Sequence, residues 1–388
     1  AEAQAVLDSY GEGGAMSEES GSEAEEDDTQ KEEDLPNIIV MMNESFSDLS
    51  VLGDFETNED YMPFIHSLEQ GEKNTVTGML NVSVCGGNTA NTEFEFLTGN
   101  TMAFLPQGSV AYQQYVKSND YSIATYLKSK GYDTIAMHPY NASGWDRDKV
   151  YPLLGFDTFY SLKDWVNPVK IRKYVSDQSC YDKIIELYEQ KDANTPFFLF
   201  NVTMQNHSSY SEEYDNFHPD ITVEGTSSKI LPNYLSLIKL SDQALENLIE
   251  YFSQADEDTI IVFFGDHQPS NSVAAPVWKI NGRSGDSLTE EEEALRYKVP
   301  FIIWANYDIE AASNVETSAN YLGSHVLRAA GLPLYDYRNY LSQLEGQYPV
   351  LTAIRAENAQ GISTPVKDVK STLQDYMTLQ YYNIFSQK

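Results

Sequence analysis

YSIATYLKSKGYDTIAMH, residues 121–138, reads as a helix, a stop and a strand in immediate succession. Gly131 ends the helix, because a residue without a Cβ readily takes the left-handed conformation that closes one. DTIAMH then runs as a strand ending on His138. The same alternation continues in both directions. NIIVMM (37–42) and GMLNVSVC (78–85) read as strands, and a helix over about 176–190 precedes the strand PFFLFNVT (196–203). Residues 234–254 give the clearest amphipathic helix, with Ile238, Leu245, Leu248, Ile249 and Phe252 on one face. TIIVFF (259–264) and VPFIIWA (299–305) are apolar enough to be buried strands, and SANYLGSHVLRAAG (318–331) is a further helix. Strands alternating with helices of this length predict an α/β fold: a central mixed sheet flanked by helices on both faces. The less regular residues 336–388 read as a small C-terminal extension packed on a main domain over 36–335.

The 388 residues carry 59 acidic and 25 basic side chains, a net charge of −34 that excludes nucleic acid as a partner. Residues 1–35 hold 13 acidic residues and one lysine, a net −12 that leaves −22 for the rest. A run such as EESGSEAEEDDTQKEED lacks the apolar residues that would offset chain entropy, so 1–35 reads as an acidic disordered linker. No stretch approaches the roughly 18 apolar residues of a membrane span. The chain starts at Ala1, without a signal peptide, as expected of a piece of a longer precursor. Cys85 and Cys180 form neither a disulfide framework nor a zinc spacing. Asn-x-Ser/Thr sequons at Asn43, Asn81, Asn141, Asn201 and Asn206 crowd the motifs below, which favours a source that leaves them unglycosylated.

The chemistry-bearing residues lie just past the carboxyl ends of the predicted strands, where open α/β sheets bind ligands. They are Glu44 after NIIVMM, Thr89 in CGGNTANTEFEF, His138 after DTIAM, His207 in VTMQNH, and Asp266-His267 after TIIVFFG. Glu44, Asp266 and His267 offer two carboxylates and an imidazole, a donor set suited to Mn²⁺, Mg²⁺ or Zn²⁺. Thr89 completes the set. Its hydroxyl is a poor nucleophile at neutral pH and needs activation by a metal. Gly86-Gly87 lets backbone approach a ligand, and a helix over 90–98 would turn its free N–H groups toward a phosphate. The plainer reading makes GGNT a glycine turn with Thr89 as a helix cap. In HPYNASGWDR, Arg147 offers a bidentate fork for phosphate and Trp145 a flat wall for a small polyol. Their plainer readings are an ion pair with Asp146 or Asp148, and surface packing.

Taken together, these segments resemble the sulfatase-like domain of lipoteichoic acid synthase-type phosphoglycerol transferases, in the alkaline phosphatase superfamily. The resemblance rests on MNESFSD with Glu44, NTANTEFEFLTG with Thr89, LPQGSV at 105–110, HPYNASGWDRDKVYPLLGFDTFY, MQNH with His207, and FFGDHQ. It implies that Glu44, Thr89, Asp266 and His267 bind one divalent ion, Mn²⁺ by preference and Mg²⁺ or Zn²⁺ otherwise. It implies that His138, Trp145, Arg147 and His207 line a glycerophosphate pocket, with His207 or His267 shuttling protons. Thr89 would attack a phosphatidylglycerol-type lipid, hold glycerophosphate covalently, and pass it to a glycerol-bearing glycolipid or polymer. Full-length members carry N-terminal membrane anchors, so 1–35 would lie between the membrane and a catalytic domain on the extracytoplasmic face of a Gram-positive cell, or on a released extracellular domain. Tyr140 departs from the pattern, since some members have an acidic residue there. A phosphodiesterase or other hydrolase on the same scaffold, with water as acceptor, is the alternative. A true sulfatase is disfavoured because Cys85 is followed by Gly-Gly-Asn-Thr and not by x-Pro-x-Arg. A catalytically silent binding domain would have lost a ligand or the nucleophile, and none is missing.

Overall fold

The computed structural model describes residues 2–11 and 35–385. Its centre is an eight-stranded sheet. The strands are β1 (Asn37–Asn43), β2 (Thr75–Asn81), β3 (Asp133–His138), β4 (Thr158–Ser161), β7 (Phe197–Val202), β8 (Thr259–Gly265), β9 (Lys298–Ala305) and β10 (Ala312–Ser318). Between β4 and β7 the chain makes a short hairpin, β5 (Lys170–Ile171) with β6 (Tyr174–Val175). The strand order across the sheet is β10-β2-β9-β8-β1-β7-β3-β4. Only β9 runs antiparallel to its neighbours, so the carboxyl ends of β1, β2, β3, β7 and β8 share one edge.

The central strands are buried on both faces, which explains why they read as unbroken apolar runs. Ile38, Val40 and Met42 point into one layer with Phe198, Phe200, Val262 and Phe264. Ile39 and Met41 point into the other with Leu199, Ile261 and Phe263. The first layer is covered by helices Thr89–Thr98, Ile123–Ser129, Arg147–Leu153 and Ala319–Ala329; the second by Asp177–Gln190, Ile230–Phe252 and Asn271–Ile280. The strand read over 78–85 instead spans 75–81, and Val82–Cys85 leave the sheet to form the loop before Thr89. Gly78 lies where β10 crosses closest, since a Cβ there would meet the Val315 carbonyl oxygen at 1.9 Å.

The C-terminal residues form helices Asp336–Glu345 and Gln374–Phe385 and a small antiparallel sheet of β11 (Val350–Leu351), β12 (Arg355–Glu357) and β13 (Ser363–Pro365). They buttress the far end of helix Thr89–Thr98. Arg338, fully buried, donates to the carbonyls of Phe96 and Asn320, and the Tyr376 hydroxyl donates to that of Gly99 at 2.6 Å. One correction falls at the N-terminus. Glu2–Gly11, read as part of the acidic linker, is a helix packed on this C-terminal layer. Ala3, Val6, Leu7 and Tyr10 join the cluster around Tyr340 and Tyr376, and the Tyr10 ring meets Tyr340 edge-on at 4.8 Å. The acidic run at 18–34 lies outside the described residues. Among those described, no helix is long and apolar enough to cross a membrane.

Candidate active site

β1 and β8 are adjacent and parallel, with Asn43 in register with Gly265, so the residues that follow them meet. Glu44 leaves β1, and Asp266 and His267 leave β8. One ligand atom from each lies within 4.8 Å of the others, and all three residues are buried. Gly265 makes this approach possible, because a Cβ there would meet the Phe46 carbonyl oxygen at 2.0 Å. Ser45, at φ 51°, turns its N–H onto Asp266 Oδ1 at 2.7 Å and its hydroxyl onto Glu44 Oε1 at 2.8 Å. His267 Nδ1 contacts the Gln268 carbonyl at 2.9 Å, which fixes the tautomer and leaves Nε2 facing Asp266 Oδ2 at 3.1 Å.

Thr89 enters from a third direction. The turn before it is pinned by the Gly86 N–H donating to the Gln268 carbonyl at 2.9 Å. Gly86 takes φ +70° against Ser270, whereas Gly87 faces open space. The plainer reading of Thr89 as a helix cap does not hold: Asn88, left-handed at φ 65°, occupies the N-cap position without a capping hydrogen bond. Thr89 is the first helical residue. Its hydroxyl donates to Asp266 Oδ2 at 2.7 Å and lies 3.5 Å from His267 Nε2. One turn on, Thr92 donates to the Asp266 carbonyl at 2.7 Å and locks the helix start to the end of β8.

Two close, buried carboxylates with no Lys or Arg ion pair among the described residues are electrostatically unfinished. Burial, followed by the Asp266 carboxylate, holds the Glu44 carboxyl well above its ordinary range. Two carboxylates, one imidazole and a hydroxyl fit a divalent cation, and a cation would remove the repulsion.

The second group lies on the β3 and β7 side. His138 is buried at the end of β3 with Nδ1 on the Val202 carbonyl at 2.9 Å. Burial first, and the nearby Arg147 next, push its basicity well below that of an ordinary imidazole, so it is neutral. His207, half-exposed after β7, keeps Nδ1 against the Tyr174 hydroxyl at 3.1 Å and the Ser208 carbonyl at 2.9 Å. Trp145 and Asp146 both take positive φ, 55° and 57°, and Trp145 packs partly against the apolar layer. Strained backbone of this kind persists only where its surroundings enforce it.

Arg147 requires a correction. It pairs with neither Asp146 nor Asp148, and its fork is not free for phosphate. Its Nε and Nη2 edge donates to buried Glu93, with Nε–Oε1 at 3.0 Å, and the Tyr151 hydroxyl donates to the same carboxylate at 2.8 Å. Asp146 pairs with Lys149 instead. Glu93 was present in the quoted run NTEFEF, but nothing in its spacing tied it to a residue 54 positions away. Sequence reading also passed over the support behind the site. Asp177 accepts from Asn43 at 2.7 Å and Ser241 at 2.6 Å, and Asn206 donates to Asn43 Oδ1 at 3.0 Å. Burial pushes the Asp177 carboxyl up to about 6 despite those bonds. Arg172 donates to the carbonyls of Gln205, His207 and Ser209 and so shapes the loop that presents His207. Cys85 and Cys180 are both free, and burial pushes each thiol upward.

This sheet, with buried acidic and imidazole donors converging at its carboxyl edge, defines a sulfatase-type α/β domain. The family model described as Sulfatase matches residues 36–332, and the chain belongs to that family. Its relatives include a Rhizobium meliloti protein named for cyclic β-1,2-glucan modification, 31% identical over 364 residues, covering 91% of this chain and 55% of the relative. The chain spans about half the length of the curated relatives it matches. Among solved structures, the Streptococcus pyogenes phosphoglycerol transferase GacH, in complex with sn-glycerol-1-phosphate, shares the fold at a TM-score of 0.72 and 22% identity, over 98% of this chain and 90% of that one. The Listeria monocytogenes lipoteichoic acid synthase LtaP does so at 0.67 and 22% identity, over 90% and 91%.

Proposed function

We propose that this chain is the extracytoplasmic catalytic part of a metal-dependent phosphoglycerol transferase, with Thr89 as nucleophile. The observation that carries the reading is the Thr89 hydroxyl, buried at a helix start, already donating to Asp266 Oδ2 at 2.7 Å beside Glu44 and His267. A divalent ion held by Glu44, Thr89, Asp266 and His267, Mn²⁺ by preference, would supply Lewis acidity for the hydroxyl and the phosphoryl oxygens.

The chain's own residues account for the rest. Thr89 Oγ1 forms a bond to phosphorus of a phosphatidylglycerol-type lipid as the bond from phosphorus to the diacylglycerol oxygen breaks, and its hydroxyl proton passes to Asp266 Oδ2, which it already faces at 2.7 Å. His207, with Nδ1 occupied, has Nε2 left to give that oxygen its proton. In the second step a glycerol hydroxyl of the acceptor loses its proton to His207 and displaces Thr89 from phosphorus, and the freed Thr89 oxygen takes its proton back from Asp266. Neutral His138, with Nδ1 on a carbonyl, has Nε2 as an acceptor for a glycerol hydroxyl. Arg147 keeps one nitrogen beyond its Glu93 contacts for a phosphoryl oxygen, and Trp145 gives the polyol an apolar wall. Water in the acceptor's place would make the enzyme a phosphodiesterase. The 91% coverage of this chain by a relative named for glucan modification favours a glycan hydroxyl as a second class of acceptor. With relatives in Rhizobium as well as Bacillus and Staphylococcus, the reading is of a bacterial envelope enzyme not confined to Gram-positive cells.

The test withholds the acceptor. Incubation with phosphatidylglycerol should leave a phosphoglycerol adduct on the peptide containing Thr89, seen by mass spectrometry. Thr89→Ala should show no adduct and lose at least about 10⁴-fold in turnover, while Thr89→Ser keeps part of both. A folded Thr89→Ala protein with full activity would sink the covalent mechanism.

A further inference from the structure

The segment LKDWVNPVKIRK, 162–173, runs from β4 into the β5–β6 hairpin and is unlike the rest of the surface. Val166 is 88% exposed and Val169 66%, the two highest values among the large apolar side chains left in solvent. Exposed Lys163, Lys170 and Lys173 flank them, and none is ion-paired among the described residues. Arg172 is turned inward to the His207 loop, and the one acid, Asp164, accepts from the Ser161 N–H at 2.8 Å. Glu212 faces Lys173, and exposed Glu213 and Asp215 follow it in the segment whose Asn216 bonds to the hairpin. In a chain of net −34, this is a local basic patch with an apolar tip.

The patch is rigid and continuous with the active-site rim. The Trp165 indole donates to the Ser179 carbonyl, the Val169 N–H to the Ser179 hydroxyl at 3.0 Å, and Asn216 to the carbonyls of Lys170 and Arg172. The Leu162 N–H donates to the Tyr140 carbonyl at 3.0 Å, and Tyr174 of β6 holds His207. Folding has therefore fixed two valines outward at a cost that nothing among the described residues offsets.

We infer that the 162–173 protrusion docks on an anionic lipid surface, with Val166 and Val169 entering the headgroup layer, the lysines contacting lipid phosphates, and the His138–His207 pocket brought to the lipid plane. Net repulsion does not prevent this. Charges more than about 8–10 Å away are screened at physiological salt, so the surface senses the lysines and not the chain average. Apolar insertion combined with basic contacts is the pairing that holds proteins at interfaces. The purpose of such docking, delivery of a lipid headgroup to Thr89, rests on the function proposed above; the docking itself does not.

The experiment measures co-sedimentation with vesicles of phosphatidylglycerol and phosphatidylcholine, against phosphatidylcholine alone. The parent chain and Thr89→Ala should bind the anionic vesicles equally. Val166→Asp/Val169→Asp should bind about tenfold less, and Lys163→Gln/Lys170→Gln/Lys173→Gln should lose the preference for phosphatidylglycerol and its salt sensitivity. Both variants should turn over a water-soluble glycerophosphodiester like the parent, which also shows that they fold. Undiminished binding by the valine variant, equal parent binding to both vesicles, or no binding at all would overturn the inference. If the parent docks through the valines yet forms no Thr89 adduct, the proposed function fails and the docking surface stands.

Discussion

One helix, Thr89–Thr98, connects two buried clusters of charge that are finished in opposite ways. At its first residue, Thr89 touches Asp266, and the cluster there holds two carboxylates against a single imidazole. One turn later, Glu93 meets Arg147 and Tyr151, and its carboxylate is matched by a guanidinium and a hydroxyl. The first cluster is short of positive charge, which a cation would supply. The second is complete and gives its neighbour a rigid wall. Burial by itself therefore does not mark a ligand site. An unpaired burial of like charge does.

Breaking the finished pair should have the largest effect on stability. Arg147→Ala would strand Glu93 in a dry site, a change that typically costs about 3–5 kcal/mol. Denaturant melts should show that loss, and Arg147→Met/Glu93→Leu should recover most of it, since a buried pair is often replaceable by apolar packing of similar volume. An Arg147→Ala protein as stable as the parent would mean the pair is a bystander. Loss of glycerophosphate affinity in Arg147→Ala consequently mixes a missing phosphate contact with a disturbed wall.

The two clusters also differ in how far they could be read from sequence. Glu44, Asp266 and His267 were legible because each follows an apolar strand directly, and parallel strands bring such positions to one edge. His138 ends β3 and His207 follows shortly after β7, whereas Thr89 was placed after a strand that stops at Asn81 in the structure and lies beyond a loop. Glu93 was not legible, because its contact with Arg147 depends on two helices packing on one sheet face. The edge strand ASNVETS was missed for a related reason: half-exposed and polar, it lacks the apolar run that announced the central strands. The helix Glu2–Gly11 did carry a signal, Ala3, Val6, Leu7 and Tyr10 at helical spacing, but the acidic composition of the whole segment concealed it.

Asp120 sharpens the comparison as a third fate for a buried carboxylate, neither paired nor clustered. Neither of its oxygens has a partner among the described residues, and burial pushes its carboxyl up to about 7. The sign follows from linkage. The folded form favours the protonated acid, so the contribution to stability is full below the unfolded value near 4 and is lost as pH rises through about 7. Between pH 4 and 8 that loss should be on the order of 3 kcal/mol. Asp120→Asn should flatten this part of the stability–pH curve, and an unchanged slope in equilibrium denaturation would contradict the assignment.

The smallest expected effect tests the unfinished cluster itself. A ligand that binds only the folded chain at about 100 times its dissociation constant adds about 2.7 kcal/mol, so Mn²⁺ should raise the melting temperature of the chelator-stripped protein. The gain has a specific origin: a cation relieves the repulsion between Glu44 and Asp266, which the protein otherwise limits by favouring protonated Glu44. Glu44→Gln removes one of the two charges and should make the metal-free protein more stable while reducing the Mn²⁺ response. Arg147→Ala, on the finished side of the helix, should lower the starting stability and leave the response intact. Ca²⁺ should give less than Mn²⁺, since its preference for six to eight oxygens is poorly met by two carboxylates, an imidazole and a hydroxyl. Equal Mn²⁺ shifts in the parent and in Glu44→Gln would show that the ion binds elsewhere. The contrast between the two clusters would then no longer distinguish a ligand site from a structural one.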